Sequence, residues 1–460
     1  MELVKKNDVI EVEIIDMGDS GEGIGRYEGL TIFAEGAILG DIVKVQINKV
    51  KKRFALGETV ETIEPSKNRI ESDCKYSKDC GGCQLREMNY ETTLKLKEKQ
   101  VKDALERIGG LTDVNVKNII GMDDPNRYRN KVLYPIAKDG ITDNPMMPSI
   151  GFYKKKTHNI VNVNTCLLQN EVNDVIIQTI REFIKENEIR MYNTQTKKGV
   201  IRKVMIRNSS ANGDVMVIIV TNGKHFDWEE ALVTALTSKV DKIKSIVINV
   251  NKSPINTGLA KGSYFIYGSE TITDKIGDFE FAISPRSFFQ VNPVQTEKLY
   301  KKAIEYAGLT GNETVFDVYC GAGTISLFLA QSAKTVYGIE SVEPAVMDAD
   351  KNATTNGITN IEFCLGEAEV VMPKLNEERI TADVVVIDPP RKGCEQIVLD
   401  TIIKMAPKTV VYVSCKPSTL ARDLKILTDG GYSLEEVQPV DMFPWTTHVE
   451  CCSLLVRKDK

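Results

Sequence analysis

From about residue 286 onward, short apolar runs that read as buried strands alternate with stretches that read as helices, and that order leaves few folds open. The runs are 314–318, 335–339, 383–387 and 409–413. Successive parallel strands need a long crossover, normally a helix, so the pattern predicts an α/β fold with a doubly wound parallel sheet over 286–460. Ligands of such sheets lie at the carboxyl ends of the strands. What stands at those ends therefore decides the chemistry.

The first strand runs into Tyr319-Cys320-Gly321-Ala322-Gly323-Thr324. A glycine turn between strand and helix lets a ligand reach the backbone, and Glu340, nineteen residues after Gly321, is placed to bind ribose hydroxyls. Ser326 stands where a dinucleotide fingerprint would have its third glycine. That disfavours NAD and favours S-adenosylmethionine, which has no pyrophosphate to cradle. The third strand delivers Asp388, followed by Pro389-Pro390, which fix an extended loop beside it. Together with Glu340 this reads as a methyltransferase site.

The fourth strand ends in Ser414-Cys415-Lys416-Pro417, which puts a thiol where the cofactor's methyl group should lie. A reference thiol has a pKa of about 8.5, so Cys415 needs a cation or dipole beside it. Lys416 or a nearby helix N-terminus is expected to supply one. Cys320, Cys364, Cys394, Cys451 and Cys452 read as inert cysteines. Near the C-terminus, His448 and Glu450 lie two apart at the start of an apolar strand and face the same side. In the company of Cys415, Glu450 reads as a base; alone it would be a solvated strand end.

Upstream, apolar runs at 9–15, 30–34 and 42–50, punctuated by Gly18, Gly21, Gly23, Gly25, Gly29, Gly36 and Gly40, predict a small closed barrel. Lys44, Lys49, Lys51, Lys52 and Arg53 form a basic edge, either a solvated strand edge or an RNA contact. Leu94, Val101, Leu105 and Ile108 mark the apolar face of a helix over 91–108, with Lys95, Lys97, Lys99 and Lys102 largely on its other faces. From 111 to 285 the chain is strand-rich, with candidate strands 200–207, 215–221 and 245–251 and a helix around 169–187.

Cys74, Cys80 and Cys83 fall within ten residues, and Cys166 is the best candidate for a fourth ligand. Four thiolates suit either tetrahedral zinc or a [4Fe–4S] cluster. One close pair, rather than two Cys-x-x-Cys knuckles, leans toward the cluster. The N-terminus has no apolar signal region and no apolar run reaches about eighteen residues, which predicts a cytoplasmic protein with no membrane segment. In that reducing compartment clustered thiols read as ligands. The net charge of −5 argues against blanket nucleic-acid binding but leaves room for a local basic face.

Residues 1–65 resemble a TRAM domain, an oligonucleotide-binding-like barrel. The whole chain closely resembles the bacterial RNA uracil-5-methyltransferases, in particular the 23S ribosomal RNA branch with a TRAM barrel and an iron–sulfur cluster. The motifs that carry this are, in order, Cys-x5-Cys-Gly-Gly-Cys, Phe-Phe-Gln-Val-Asn, Asp-Pro-Pro-Arg-Lys-Gly, Ser-Cys-Lys-Pro and His-Val-Glu. The resemblance implies a TRAM RNA-binding barrel over 1–65, an α+β iron–sulfur and RNA-binding domain over 66–285, and a methyltransferase domain over 286–460, with helix 91–108 as a candidate to pack on the last.

It implies Cys415 as nucleophile and Glu450 as base. It assigns S-adenosylmethionine to Gln290, Tyr319, Glu340 and Asp388, to which the glycine turn adds Gly321. It assigns the [4Fe–4S] cluster to Cys74, Cys80, Cys83 and Cys166. Lys51, Lys52, Arg53, Arg129, Lys131 and Phe288 are candidate RNA contacts, with Phe289 a second candidate stacking surface. Two departures are Trp445, where relatives often have His, and Tyr319, where Phe is frequent. The expected partner is RNA, 23S ribosomal RNA in particular, with no obligate protein partner. The alternatives are a transfer RNA uridine methyltransferase and a noncatalytic, redox-sensing RNA-binding protein.

Overall fold

The computed structural model describes residues 3–138, 147–254 and 258–458. Strands β1 (Val9–Met17), β2 (Gly23–Tyr27), β3 (Leu30–Glu35), β4 (Ile42–Val50) and β5 (Phe54–Glu64) close into a barrel in the order β1-β2-β3-β5-β4. Alternate residues, among them Val12, Ile14, Val43, Val45 and Ile47, fill its interior. Gly25 is required where β2 crosses β1, because a Cβ there would lie 2.2 Å from the Val12 side chain.

Asp41 anchors the barrel to the segment 66–69 just beyond it. Fully buried, it accepts the N–H groups of Ile38 and Ser66 at 2.8 Å each and pairs with Arg69. Burial pushes its carboxyl up, but the Arg69 guanidinium and the backbone donors outweigh that and hold it below the usual range.

Helix α1 (Tyr90–Arg107) starts at Asn89, whose side chain accepts the Thr92 N–H at 2.9 Å. Next comes a central sheet, built from β6 (Lys131–Lys138), β7 (Pro148–Tyr153), β8 (Ile160–Asn162), β9 (Ile201–Asn208), β10 (Val215–Thr221), β11 (Ile243–Val250) and β12 (Ser263–Gly268). Its order is β12-β11-β10-β9-β6-β7-β8, with α2 (Val172–Glu186) and α3 (Glu229–Thr237) packed against it. A hairpin of β13 (Ile272–Ile276) and β14 (Phe279–Ile283) leads to α4 (Pro293–Ala307). Hairpin and helix share one core with the C-terminal sheet, through Phe281, Leu299 and Val315.

The C-terminal sheet alternates as expected: β15 (Thr314–Val318), α5 (Thr324–Ala330), β16 (Thr335–Glu340), α6 (Glu343–Thr355), β17 (Ile361–Leu365), α7 (Ala368–Glu377), β18 (Val384–Ile387), α8 (Gln396–Met405), β19 (Thr409–Ser414) and α9 (Pro417–Asp429). The last strands are β20 (Tyr432–Val440) and β21 (Glu450–Arg457), in the order β17-β16-β15-β18-β19-β21-β20. The first five are parallel, but β21 runs antiparallel to both β19 and the edge strand β20, so the sheet is mixed rather than wholly parallel. The cause is the connection: β20 returns to β21 through a loop with no crossover helix.

Helix α1 packs on α9 and adds Val101, Ala104 and Leu105 to the core beneath the sheet. Its buried face differs from the expected one: Lys97 is wholly buried, whereas Ile108 is 51% exposed. Among the described residues no helix is long and apolar enough to cross a membrane.

Removing one partner of a buried, hydrogen-bonded pair leaves an uncompensated charge, which typically costs about 3–5 kcal/mol. Asp41→Ala is therefore expected to produce a separate, earlier barrel transition in scanning calorimetry of the full chain. A single unshifted transition would show that Asp41 does not anchor the barrel.

Candidate active site and four-cysteine site

The carboxyl ends of β15, β16, β18 and β19 open into one cleft of about 840 Å³. Gln290, Tyr319, Gly321, Glu340, Asp388, Cys415 and Glu450 all line it. The sheet gathers them because each stands at or just beyond a strand end, except Gln290, which comes from the segment before α4. Asn130 fixes that segment, donating to the Gln290 carbonyl at 2.8 Å.

Gly321 (φ +57°) and Gly323 (φ +75°) turn the chain from β15 into α5, and Tyr319 shares their left-handed conformation at φ +68°. The Tyr319 N–H donates to the Ile339 carbonyl at 2.9 Å, which holds that unusual backbone in place. Glu340 accepts the Gly321 N–H at 3.1 Å on one carboxylate oxygen and the Val342 N–H at 2.8 Å on the other. Its carboxylate is thus oriented within the cleft. A Cβ built on Gly321 meets no atom within 4 Å, so the backbone faces open space. An open glycine turn beside an oriented acid fits the adenosyl part of S-adenosylmethionine.

The reacting end of the cleft is acidic, with Glu450 buried and Asp388 and Cys415 partly exposed. Glu450 is only 6% exposed. Burial, then the neighbouring Asp388, raises its carboxyl well above the ordinary range, with Arg391 opposing. Burial alone pushes Asp388 up to about 6. Cys415 is pushed up to about 11 by burial, Glu450 and Asp388, again with Arg391 opposing. Lys416 does not play the part expected of it: it sits at the N-cap of α9 and lines a different cavity, between α1 and the barrel. The cation at the thiol is Arg391, from the loop after Pro389-Pro390. Arg391 is visible in the Asp-Pro-Pro-Arg-Lys-Gly motif, but nothing in the sequence alone gives it this role.

His448 borders both this cleft and a groove between the barrel and the turn from β7 to β8. Burial, together with the charges of Arg391, Lys97 and Arg129, lowers its pKa. The two adjacent phenylalanines separate: Phe289 is 4% exposed and packs on Phe281, whereas Phe288 is 62% exposed at the cleft rim. The Lys131 ammonium lies 5.6 Å from the Phe288 ring centre. Lys51, Lys52 and Arg53 are exposed on the turn between β4 and β5, away from the cleft lining.

Cys74, Cys80, Cys83 and Cys166 line a second, smaller cavity of about 100 Å³. Arg129, expected at an RNA face, points its guanidinium here instead, as does Arg86. Burial pushes Cys83 up to about 12 and Cys166 up to about 11, and neighbouring cysteines add to both. These groups become thiolates only with positive charge among them. Among the described residues no three His, Cys, Asp or Glu side chains are disposed to hold a single metal ion. A four-thiol cavity of this size, with an N–H from Gly82 to the Cys80 sulfur at 3.4 Å and two arginines at its wall, is a donor set that fits an anionic thiolate-bound centre.

Residues 209–458 match the family model described as tRNA (uracil-5-)-methyltransferase, and residues 3–60 match the TRAM domain. A Bacillus cereus protein described as an uncharacterized RNA methyltransferase is 48% identical over 99% of this chain and 98% of its own length. A Clostridium tetani protein of the same description is also 48% identical, over 98% of this chain and 97% of its own. The Pyrococcus abyssi tRNA (uracil-54, C5)-methyltransferase, solved with S-adenosyl-L-homocysteine, superposes with a TM-score of 0.77 at 29% identity. That match covers 97% of this chain and 100% of the other.

In the absence of cofactor, alkylation of Cys415 by iodoacetamide, tracked peptide by peptide in a mass spectrometer, is expected to be slow at neutral pH and to rise toward a midpoint of about 11. Asp388→Asn removes an anion that disfavours the thiolate, so the midpoint should fall by about one pH unit; Arg391→Met should raise it. An Asp388→Asn midpoint that stays put or rises contradicts the electrostatic account.

Proposed function

Because this chain belongs to the RNA uracil-5-methyltransferase family, with an N-terminal TRAM domain, and is an S-adenosylmethionine-dependent enzyme, we propose that it methylates C5 of a uridine in 23S ribosomal RNA through a covalent bond between Cys415 and C6. The observation that carries the reading is the placement of Cys415 and Glu450 in one cleft with Asp388 and the oriented Glu340.

C5 of uracil is too weak a nucleophile to be alkylated unaided. The Cys415 sulfur bonds to C6, and the electron pair of the C5=C6 double bond moves toward C5 and O4 as an enolate. When bound, S-adenosylmethionine would supply an electrophilic methyl group and a positive charge among the acids of the cleft; C5 bonds to that methyl as its bond to sulfur breaks, leaving S-adenosylhomocysteine. Glu450 then removes the C5 proton, C5=C6 reforms, and the thiolate leaves. A positioned base of this kind contributes about 10²–10⁴-fold. Burial keeps Glu450 a strong enough base for a proton acidified by the neighbouring carbonyl. Phe288, exposed at the rim beside Lys131, offers a stacking face for an unstacked base.

Cys74, Cys80, Cys83 and Cys166 hold a [4Fe–4S] cluster in this reading, with Arg86 and Arg129 offsetting its negative charge. A second reading, a uridine of transfer RNA, is favoured by one finding. The archaeal tRNA enzyme matches along its entire length, barrel included, so a barrel does not by itself separate the two substrates. Mapping 5-methyluridine in cells with and without the protein decides: loss from 23S RNA supports the first reading, and loss from transfer RNA alone replaces it with the second.

RNA carrying 5-fluorouridine at the target should form a stable adduct with Cys415, since fluorine cannot leave as a cation; Cys415→Ala methylating at the normal rate would refute the nucleophile. Glu450→Gln should accumulate methylated RNA still attached to protein. Anaerobic purification should give a brown protein with about four irons. Stoichiometric zinc without iron would overturn the cluster.

A further inference from the structure

The loop 441–449 joins β20 to β21 and delivers His448 and Glu450 to the cleft. Much of what holds it comes from α1, outside the sheet. Lys97 has no exposed surface; its ammonium donates to the Asp441 carboxylate and, at 3.0 Å, to the Phe443 carbonyl. Asp441, equally buried, also accepts from the Tyr90 hydroxyl at 2.7 Å. That hydroxyl in turn accepts the Met122 N–H at 2.9 Å. The Phe443 ring lines the cleft and meets His448 edge-on, with ring centres 6.1 Å apart.

Lysine is almost never fully buried unless paired, and apolar side chains would fill the same space at least as stably. What an ion pair adds is direction. The ammonium grips the loop at two points, 441 and 443, and so fixes the path by which the chain reaches Glu450. We propose that Lys97 is a positioning residue for the base: through Asp441 and Phe443 it sets the loop so that Glu450 meets the C5 proton. The proposal rests on the Cys415–Glu450 reading above.

Other contacts keep the loop folded when this one is lost. Asn292 donates to the Met442 carbonyl at 3.1 Å, Gln295 to the Asp441 carbonyl at 3.1 Å, and the Gln84 and Leu85 N–H groups both reach the Trp445 carbonyl. Cys415 lies at the end of β19, not on the loop. Loss of Lys97 therefore bears on removal of the proton rather than on attack at C6.

The test uses the full-length protein, RNA containing the target uridine and S-adenosylmethionine. It reads kcat, both KM values and, on denaturing gels, the fraction of RNA covalently bound during turnover. For Lys97→Met, kcat should fall about tenfold or more, since small misplacements are costly in catalysis. Each kcat/KM should stay within about twofold, so that KM falls along with kcat, because the slowed step follows the irreversible methyl transfer. Bound methylated RNA should build up as it does in Glu450→Gln. Normal turnover, or turnover and adduct lost together, overturns the proposal. If Lys97→Met does not fold, Tyr90→Phe carries the test, since it keeps the ring packed 5.4 Å from Trp445 while removing one bond to Asp441. It should show the same excess of adduct at smaller size, and no excess overturns the proposal. No accumulation in Glu450→Gln itself would instead refute the underlying mechanism.

Discussion

Everything at the reacting end depends on a thiol and two carboxyl groups sharing one crevice that limits their access to water, Glu450 most of all. Cys415, Asp388 and Glu450 each raise or are raised by a neighbour, and burial raises all three. Such a site disfavours charge on both the thiol and the carboxyl groups. Positive charge reverses that, and Arg391 provides part of it. The low dielectric that suppresses ionisation also strengthens the response to each added cation.

The loop before β21 gives that crevice its second constraint. Distant segments meet it: the Thr447 hydroxyl donates to the Asp19 carbonyl of the barrel segment, the Tyr128 hydroxyl donates to the Pro444 carbonyl, and Trp445 donates to the Pro125 carbonyl at 3.1 Å. Arg86 stacks 4.8 Å from the Trp445 ring and also lines the four-cysteine cavity. Barrel, cysteine site and catalytic sheet therefore meet at one short segment. Their relative placement and the position of Glu450 are set together.

Strand ends were legible in the sequence because a parallel sheet leaves little choice about where its carboxyl termini point. The glycine turn, Asp388 and Cys415 come from that rule alone, and the structure brings them into one cleft. The barrel was legible from alternation and glycine spacing, and it closes as expected. The antiparallel edge was not, since an apolar strand carries no mark of its direction. Lys97 escaped because periodicity assigns every lysine to water, and only a partner 344 residues away reverses that. Lys416 is next to Cys415 in sequence, which says nothing about which side of a strand end a charge occupies; the cation that faces the thiol is Arg391. Arg129, a candidate RNA contact in sequence, lines the cavity of the four cysteines, a placement that only the fold reveals.

The central claim is that a sulfur atom saturates the pyrimidine ring before methylation. Replacing the C6 hydrogen of the target uridine by deuterium tests it most directly, because bonding at that carbon changes it from trigonal to tetrahedral. The account predicts an inverse secondary isotope effect on kcat/KM, a value below one, that disappears with the reaction in Cys415→Ala. A value of one or above in the intact enzyme would mean that C6 stays trigonal through the first irreversible step, and the covalent account would be wrong.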